Sequence, residues 1–175
     1  MTDLGSPDIT DLILDEHAEF RRQFVSLWDL RPESDADGIA AAWQPLADLL
    51  EVHASAEEEI LYPVLLRRGG DDATDETDDA IRDHNEIRDA IRHVGRTRAG
   101  SDEWWQAVVE ANVANSDHMA EEERQDLTDF RQQVGLEERH EIAVQFLRYE
   151  AQNWARGVTP KDKDPKEYVE ANESS

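Results

Sequence analysis

Four histidines are spaced along the chain so that each could bring an imidazole to one shared site. They are His17, His53, His84 and His118. Two of them are followed four residues later by a glutamate, Glu57 after His53 and Glu122 after His118. Imidazole nitrogens and carboxylate oxygens together bind transition metals such as iron, manganese and zinc. The residue types therefore indicate a metal site, provided that the four segments converge.

Helical geometry decides which acids could share a face with the histidines. At about 100° per residue, a residue four positions after a histidine lies about 40° from its direction, whereas one five positions after it lies about 140° away. Glu57 and Glu122 are therefore expected to point inward, with Glu121 as a second choice. Glu58 and Glu123 are expected to face solvent or a neighbouring helix.

Chance alone would produce some of these pairs, because 42 of the 175 residues are Asp or Glu. Placement is the stronger observation, since each histidine occupies a position on an otherwise apolar helical stripe. A lone histidine there is usually a packed core residue, but four that converge in one bundle favour ligation. Two buried carboxylates without cations would be driven to protonate. A pair of divalent or trivalent ions, which carboxylates can bridge, would remove that cost.

Four long amphipathic segments must position these residues, because apolar residues recur at intervals of three and four. The first helix is expected to start at Ser6-Pro7-Asp8, which offers a cap, a proline and an acid in the first turn. The second should kink at Pro63, and Pro45 marks either a late start or a further kink. The fourth is expected to run from about Ser101 to Val134.

The segments predict an all-α protein, an up-down-up-down four-helix bundle with an accessory C-terminal helix and a polar tail. The bundle domain is expected over residues 1–156, with its core at 8–134 and the accessory helix at about 136–154. The tail, residues 157–175, is expected to be loosely ordered because it is polar.

The accessory helix offers two possible packing faces. One consists of Ile142, Phe146 and Tyr149, and the other of Ala143, Leu147 and Trp154. The spacing does not choose between them, because each set recurs at helical intervals.

The composition excludes several classes of partner. A formal charge of −24 would repel the phosphates of nucleic acids and anionic membranes. No apolar run approaches the roughly 18 residues of a membrane span, and the first ten residues lack a signal peptide's basic start. We therefore expect a soluble, cytoplasmic protein that binds neither nucleic acid nor membrane, and the sequence predicts no particular oligomeric state.

The acid excess also predicts a salt-rich habitat. Only 3 of the 18 basic residues are lysines, and these three lie close together near the C-terminus. They are Lys161, Lys163 and Lys166. Such a composition is similar to that of halophilic proteins, whose like charges are tolerated because the Debye length is only about 3 Å in 1 M salt. The chain also has no cysteine, so disulfides and thiolate metal sites are excluded.

Four short motifs resemble the hemerythrin-like cation-binding domains. They are DEHAEFR, HASAEEEILYP, DHNEIR and HMAEEE, and the resemblance covers roughly residues 8–134. It implies a non-haem di-iron centre in which His17 and His53 serve one iron and His84 and His118 the other. Glu57 and Glu122 would then bridge the two iron ions. Manganese or zinc would also suit these ligands.

The resemblance implies a metal-binding protein that handles or senses oxygen, nitric oxide or iron, with oxygen or nitric oxide as the small ligand. A first alternative is a di-iron oxidase or nitric-oxide-linked repair enzyme, which would use the same ligands with an open coordination position. A second alternative is a metal-free helical interaction module. We favour a metal-binding protein over an enzyme.

Three further residues are assigned by position. Arg88 stands where oxygen-carrying hemerythrins have another histidine, which makes reversible oxygen carriage less expected than sensing or reaction. Its guanidinium is expected to stabilise bound anions or to pair with Glu122. His93, about half a turn from the direction of His84, is expected on the surface, and His140 lies outside the four-helix unit.

Overall fold

The computed structural model describes residues 7–31, 35–154 and 156–173, and every regular element in these ranges is helical. In chain order the elements are α1 (Ile9–Asp29), α2 (Ala36–Ala56), a π-helical turn (Glu57–Leu61), α3 (Tyr62–Arg68), α4 (Ala73–Arg96), α5 (Asp102–Arg124), α6 (Asp126–Gln133), α7 (Leu136–Asn153) and α8 (Pro165–Glu173). The prediction of an all-α helical bundle is confirmed. None of the described helices is long and apolar enough to cross a membrane.

The interior consists of two apolar clusters. One cluster contains Ile13 and Phe146, with residues of α3, α4 and α6, and the other contains Phe20 and Phe24, with the tryptophans of α2 and α5. Along α1, the buried His17 stands between Ile13 and Phe20, so that one helix crosses from the first cluster to the second through a polar position. The four bundle helices thus enclose a polar layer between two apolar ones.

The helix boundaries differ from the expected ones in three places. Asp8 caps α1, because its carboxylate accepts a hydrogen bond from the Thr10 amide, while Ser6, with which the helix was expected to start, lies outside the described residues. Pro45 lies inside α2, and Pro63 lies in the first turn of α3, directly after the π turn. The fourth helix is interrupted at Gln125, so α5 and α6 replace the single helix that was predicted.

The accessory helix α7 follows the prediction closely and packs against the bundle through one of the two candidate faces. Ile142, Ala143 and Phe146 are buried, whereas Leu147 and Trp154 are exposed. The face built on Ile142 and Phe146 is therefore the packing face, because its residues enter the first apolar cluster.

The expectation of a loosely ordered tail is wrong for its second half. Residues Pro165–Glu173 form α8, and Tyr168 and Val169 are buried. The tail has too few apolar residues for a periodic signal, so its helix was missed. Its docking combines the burial of Tyr168 in the first apolar cluster with hydrogen bonds, including one from the Thr74 hydroxyl to Glu173 of 2.8 Å.

We expect the thermal midpoint of unfolding to rise markedly between 0.1 M and 2 M potassium chloride. The charge of −24 is poorly screened in dilute buffer, and self-repulsion then destabilises the compact state. The measurement is a thermal melt followed by circular dichroism at both salt concentrations. An unchanged midpoint would contradict the halophilic interpretation.

Candidate metal centre

Six side chains predicted from the sequence converge in the polar layer. Their ligand-type atoms form two groups within which all atoms lie within 4.8 Å of one another. One group is His17, His53, Glu57 and Glu122, and the other is Glu57, His84 and His118. When two ligand atoms each lie about 2.1 Å from one metal and the angle at the metal is a right angle, the two atoms are about 3 Å apart. The spacing of the two groups is therefore of the size that metal ligation requires.

Glu57 stands between the two pairs of histidines. Its Oε1 atom lies 2.9 Å from His53 Nε2, and its Oε2 atom lies 3.2 Å from His84 Nε2. The residue is fully buried, at 0 % exposure. Each carboxylate oxygen thus faces the imidazole of a different helix, which is the arrangement of a carboxylate that can bridge two cations.

Glu122 occupies the opposite side, where a single oxygen faces both pairs of histidines. Its Oε2 atom lies 3.3 Å from His17 Nε2 and 3.9 Å from His118 Nε2. Its other oxygen, Oε1, accepts a 3.2 Å hydrogen bond from the Tyr62 hydroxyl. Burial, followed by the negative charges of Glu122 and Glu57, raises the pKa of Tyr62 well above its usual value, so that this hydroxyl keeps its proton and donates.

Several atoms that face the centre have no hydrogen-bond partner among the described residues. They are His17 Nε2, His53 Nε2, both carboxylate oxygens of Glu57, and Glu122 Oε2. Buried polar atoms are rarely left unpaired, because each costs about 1–3 kcal/mol. A cation would satisfy all of them together, since each atom offers a lone pair once the imidazoles are deprotonated. The residues present therefore fit a metal.

In the metal-free site, protons on two of the histidines balance the negative charge of the carboxylates. Burial lowers the pKa of His53, but Glu57 and Glu16 more than offset it and hold the pKa well above its usual value. Burial likewise opposes the charged form of His84, yet the neighbouring carboxylates of Glu57 and Glu58 raise its pKa to about 9. The pKa of Glu57 is held well below its usual value by His53 and His84, against the effect of burial. A metal must displace these protons when it binds.

A ring of outer carboxylates orients the four imidazoles through their Nδ1 atoms. The pairs are His17 with Glu123 at 3.0 Å, His53 with Glu16 at 2.6 Å, His84 with Glu58 at 2.9 Å and His118 with Asp83 at 3.5 Å. An ionised carboxylate only accepts, so Nδ1 carries a proton in the three hydrogen-bonded pairs, and the Nε2 atom of a neutral imidazole can then offer its lone pair to the centre. The ring is closed, because each carboxylate comes from a different element than its histidine. The carboxylate for the histidine of α2 comes from α1, that for α4 from the π turn, that for α5 from α4, and that for α1 from α5.

The outer ring was not predicted, although the sequence contains a signal for it. An acid directly precedes three of the four histidines, as Glu16 does His17, and an acid directly follows each inward glutamate, as Glu58 does Glu57. Glu58 and Glu123 were expected to face solvent or a neighbouring helix, and both contact the histidine of a neighbouring helix. Spacing alone could not identify that partner.

The π turn allows two successive glutamates to be buried. The Tyr62 amide donates to the Glu57 carbonyl, five residues back, which widens the helix at this point. Glu57 and Glu58 are both buried, although Glu58 would lie far from the inner face of a regular α-helix. One turn therefore supplies both an inner and an outer carboxylate.

The accessory helix reaches the outer ring through Glu150. Glu16, His53 and Glu150 form a third group of close ligand-type atoms. Burial, then the charge of Glu16 and a hydrogen bond to it, raise the pKa of Glu150 to about 8. The group therefore holds a proton between its two carboxyls, while Glu16 still accepts from His53.

The prediction that Arg88 pairs with Glu122 is wrong. The guanidinium is only 1 % exposed, and it donates to Glu58 Oε1 at 2.8 Å and to Glu51 Oε2 at 3.3 Å. Arg88 thus lies behind His84, because Glu58 is the carboxylate that accepts from His84 Nδ1. It acts on the outer ring and not on the inner atoms.

The remaining candidates lie away from the centre. His93 is exposed and contacts Glu110 at 2.9 Å, as expected of a surface residue. His140 donates from Nδ1 to the Pro7 carbonyl at 3.0 Å, which fastens α7 to the start of α1. Glu121, the second-choice ligand, is exposed.

The fold and the site together indicate the class of protein. It is a helical bundle in which histidines and glutamates around a buried centre bind cations. The family model for the hemerythrin HHE cation binding domain matches residues 8–129. The chain belongs to this hemerythrin HHE family, and the resemblance seen in the sequence is confirmed. Searches of curated proteins and of solved structures gave no match. The family and the His/Glu groups together assign the chain a metal-binding character.

Proposed function

We propose that the chain is a di-iron protein whose two ions are held by the six inner residues. His17 and His53 serve one iron, His84 and His118 serve the other, and both glutamates bridge. The observation that carries the proposal is the position of Glu57, whose two oxygens lie 2.9 Å and 3.2 Å from a histidine of each pair. A single ion at one pair would leave the other pair and one oxygen of Glu57 unused.

The proposed task is to handle or sense a small ligand such as oxygen or nitric oxide, or iron itself. When bound, a di-iron pair supplies electrons and Lewis-acid positions for small ligands. The chain's residues hold the pair with four imidazoles, orient these through the outer ring, and keep water away with the apolar clusters on both sides. The Tyr62 hydroxyl stands ready to donate a hydrogen bond beside Glu122.

Two histidines for each ion favour sensing or reaction over reversible oxygen carriage. The position of the further histidine of oxygen carriers is occupied by Arg88, whose guanidinium faces Glu58 and Glu51 instead of the centre. Each ion would therefore have few protein nitrogens, which leaves room for an exchangeable ligand. The unpaired inner atoms argue against a metal-free interaction module, because such a module would have no use for them.

The test is metal analysis and an optical spectrum of the full chain purified from its own host. We expect two iron ions per chain and the absorption of a carboxylate-bridged di-iron pair. A protein that contains zinc or manganese would overturn the iron assignment, and one that contains no metal would overturn the whole proposal. Sustained consumption of oxygen and a reductant, far beyond the amount of protein, would favour an oxidase over a sensor or binding protein.

A further inference from the structure

The C-terminal segment lies outside the family match yet reaches the outer ring. The match ends at residue 129, so it says nothing of residues 161–168, the segment that we call the strap. The strap is also unusual in composition, because the three lysines of the chain lie in or beside helix α8 at its end. The lysines thus lie beside a strongly acidic body, although three acids within the strap, Asp162, Asp164 and Glu167, balance their charge.

Several contacts fix the strap to α4 and to the π turn. Asn85 donates to the Lys163 carbonyl at 2.8 Å and accepts from the Lys163 amide at 3.1 Å. The Tyr168 hydroxyl donates to the carbonyl of Glu58, and the Lys163 ammonium lies 5.2 Å from the centre of the Tyr168 ring. Arg92 of α4 adds an ion pair with Asp162 at 2.9 Å. Backbone and side chain of Lys163 are therefore both held in place.

Lys163 is the charged partner of the second oxygen of the buried Glu58 carboxylate. Its Nζ atom lies 2.9 Å from Glu58 Oε2, while Glu58 Oε1 accepts from His84 Nδ1 at 2.9 Å and from Arg88 at 2.8 Å. The Glu58 side chain is 1 % exposed. Without Lys163, Oε2 would be buried with no charged partner, and only the contacts of Oε1 would hold the carboxylate toward His84.

We propose that Lys163 is a positioning residue for the metal held by His84 and His118. The strap fixes Glu58, and Glu58 fixes the tautomer and orientation of the His84 ring. This inference rests on the proposed two-ion function. Outer partners of metal-bound histidines typically change metal affinity by about 10–100-fold when they are lost. The effect of Lys163 is confined to one of the two ions, since His17 and His53 receive their outer carboxylates from elsewhere.

The other half of the bundle provides a matched comparison. Glu123 accepts from His17 Nδ1 at 3.0 Å and from Arg21 at 2.7 Å, just as Glu58 accepts from His84 and Arg88. Glu123 is 28 % exposed, however, and no strap residue is among its contacts in the described ranges. Removing the charge of Arg21 should therefore affect only the ion on the His17 side.

The test is the release of iron from the full chain. Anaerobic protein loaded with Fe(II) is mixed with excess chromogenic iron(II) chelator, and release is followed in time. We expect two phases in the unmodified protein. Lys163→Met should accelerate one phase about tenfold, and Lys163→Arg should restore it because the positive charge returns. Lys161→Met, which removes the charge of an exposed neighbour, should leave both phases unchanged.

Arg21→Met assigns the phases, because it should accelerate the one that Lys163→Met leaves unchanged. Equal acceleration of both phases by Lys163→Met would overturn the inference and indicate a merely structural role. No acceleration of either phase would also overturn the inference. Failure of the unmodified protein to retain Fe(II) would instead overturn the two-ion proposal on which the inference rests.

A second measurement uses the reciprocity of linked equilibria. If the strap stabilises the metal, the metal must stabilise the docked strap by the same factor. Amide hydrogen exchange within residues 161–168 should therefore slow on Fe(II) loading in the unmodified protein, and should respond much less in Lys163→Met. An equal response in both proteins would contradict the coupling, even if the metal-free variant were less stable.

Discussion

Replacing Glu57 with alanine is expected to lower the metal content to well under one ion per chain. The side chain faces one histidine of each pair, so its loss removes a ligand from both ions at once. It also removes one of the two anionic partners of His53 and of His84, whose pKa values are raised partly by this carboxylate. The measurement is metal analysis of purified variant protein beside the unmodified protein.

Two controls separate ligation from general damage. Glu121→Ala removes an exposed acid next to the other inward glutamate, and His93→Ala removes a surface histidine. Both variants should retain the full metal content. If Glu57→Ala and His93→Ala lost metal to the same extent, the assignment of Glu57 as a bridging ligand would be wrong.

Replacing Arg88 with methionine is expected to destabilise the metal-free fold by about 3–5 kcal/mol, the usual result of removing one partner from a buried ion pair. Arg88 is 1 % exposed and pairs with two buried carboxylates, Glu51 and Glu58. Burial already raises the pKa of Glu51 in spite of the attraction of Arg88. Without the guanidinium Glu51 would lose its buried cationic partner, and Glu58 would keep only His84 and Lys163. Urea unfolding of metal-free protein at fixed salt measures the change.

Arg21→Met is the matched control for this variant. Arg21 makes the corresponding contact to Glu123, but its side chain is 48 % exposed, and exposed ion pairs contribute about 0–1 kcal/mol. Adding Glu58→Gln to Arg88→Met should recover part of the lost stability, because a neutral amide is less costly to bury. A small effect of Arg88→Met alone would show that water reaches these carboxylates.

The inner residues could be predicted because the direction in which each side chain points depends only on the helix that contains it. His53 and Glu57 share a face whenever their segment is helical, and the apolar stripe through His53 identifies that face as buried. The same reasoning identified His118 and Glu122 and placed His93 on the surface. Local periodicity was sufficient for each of these positions.

The outer ring and the strap could not be predicted, because they depend on contacts between elements. Glu58 owes its burial to the π turn and its partners to α4 and the C-terminal segment. Lys163 is 104 residues from its second acidic contact, Glu59, along the chain. Arg88 was assigned to the correct side of its helix but to the wrong carboxylate, since the helical angle does not determine which neighbour a long side chain reaches.

The polar layer between the two apolar clusters represents a trade-off between stability and function. Well-packed hydrophobic residues in place of buried charged groups are often neutral or stabilising, so an apolar layer here would favour the metal-free fold. The chain instead keeps histidines and glutamates whose inner atoms lack partners. Folding has already ordered and desolvated these ligands through the closed ring, and this preorganisation lowers the cost of capturing a cation. Variants selected only for thermal stability should therefore tend to lose metal affinity first.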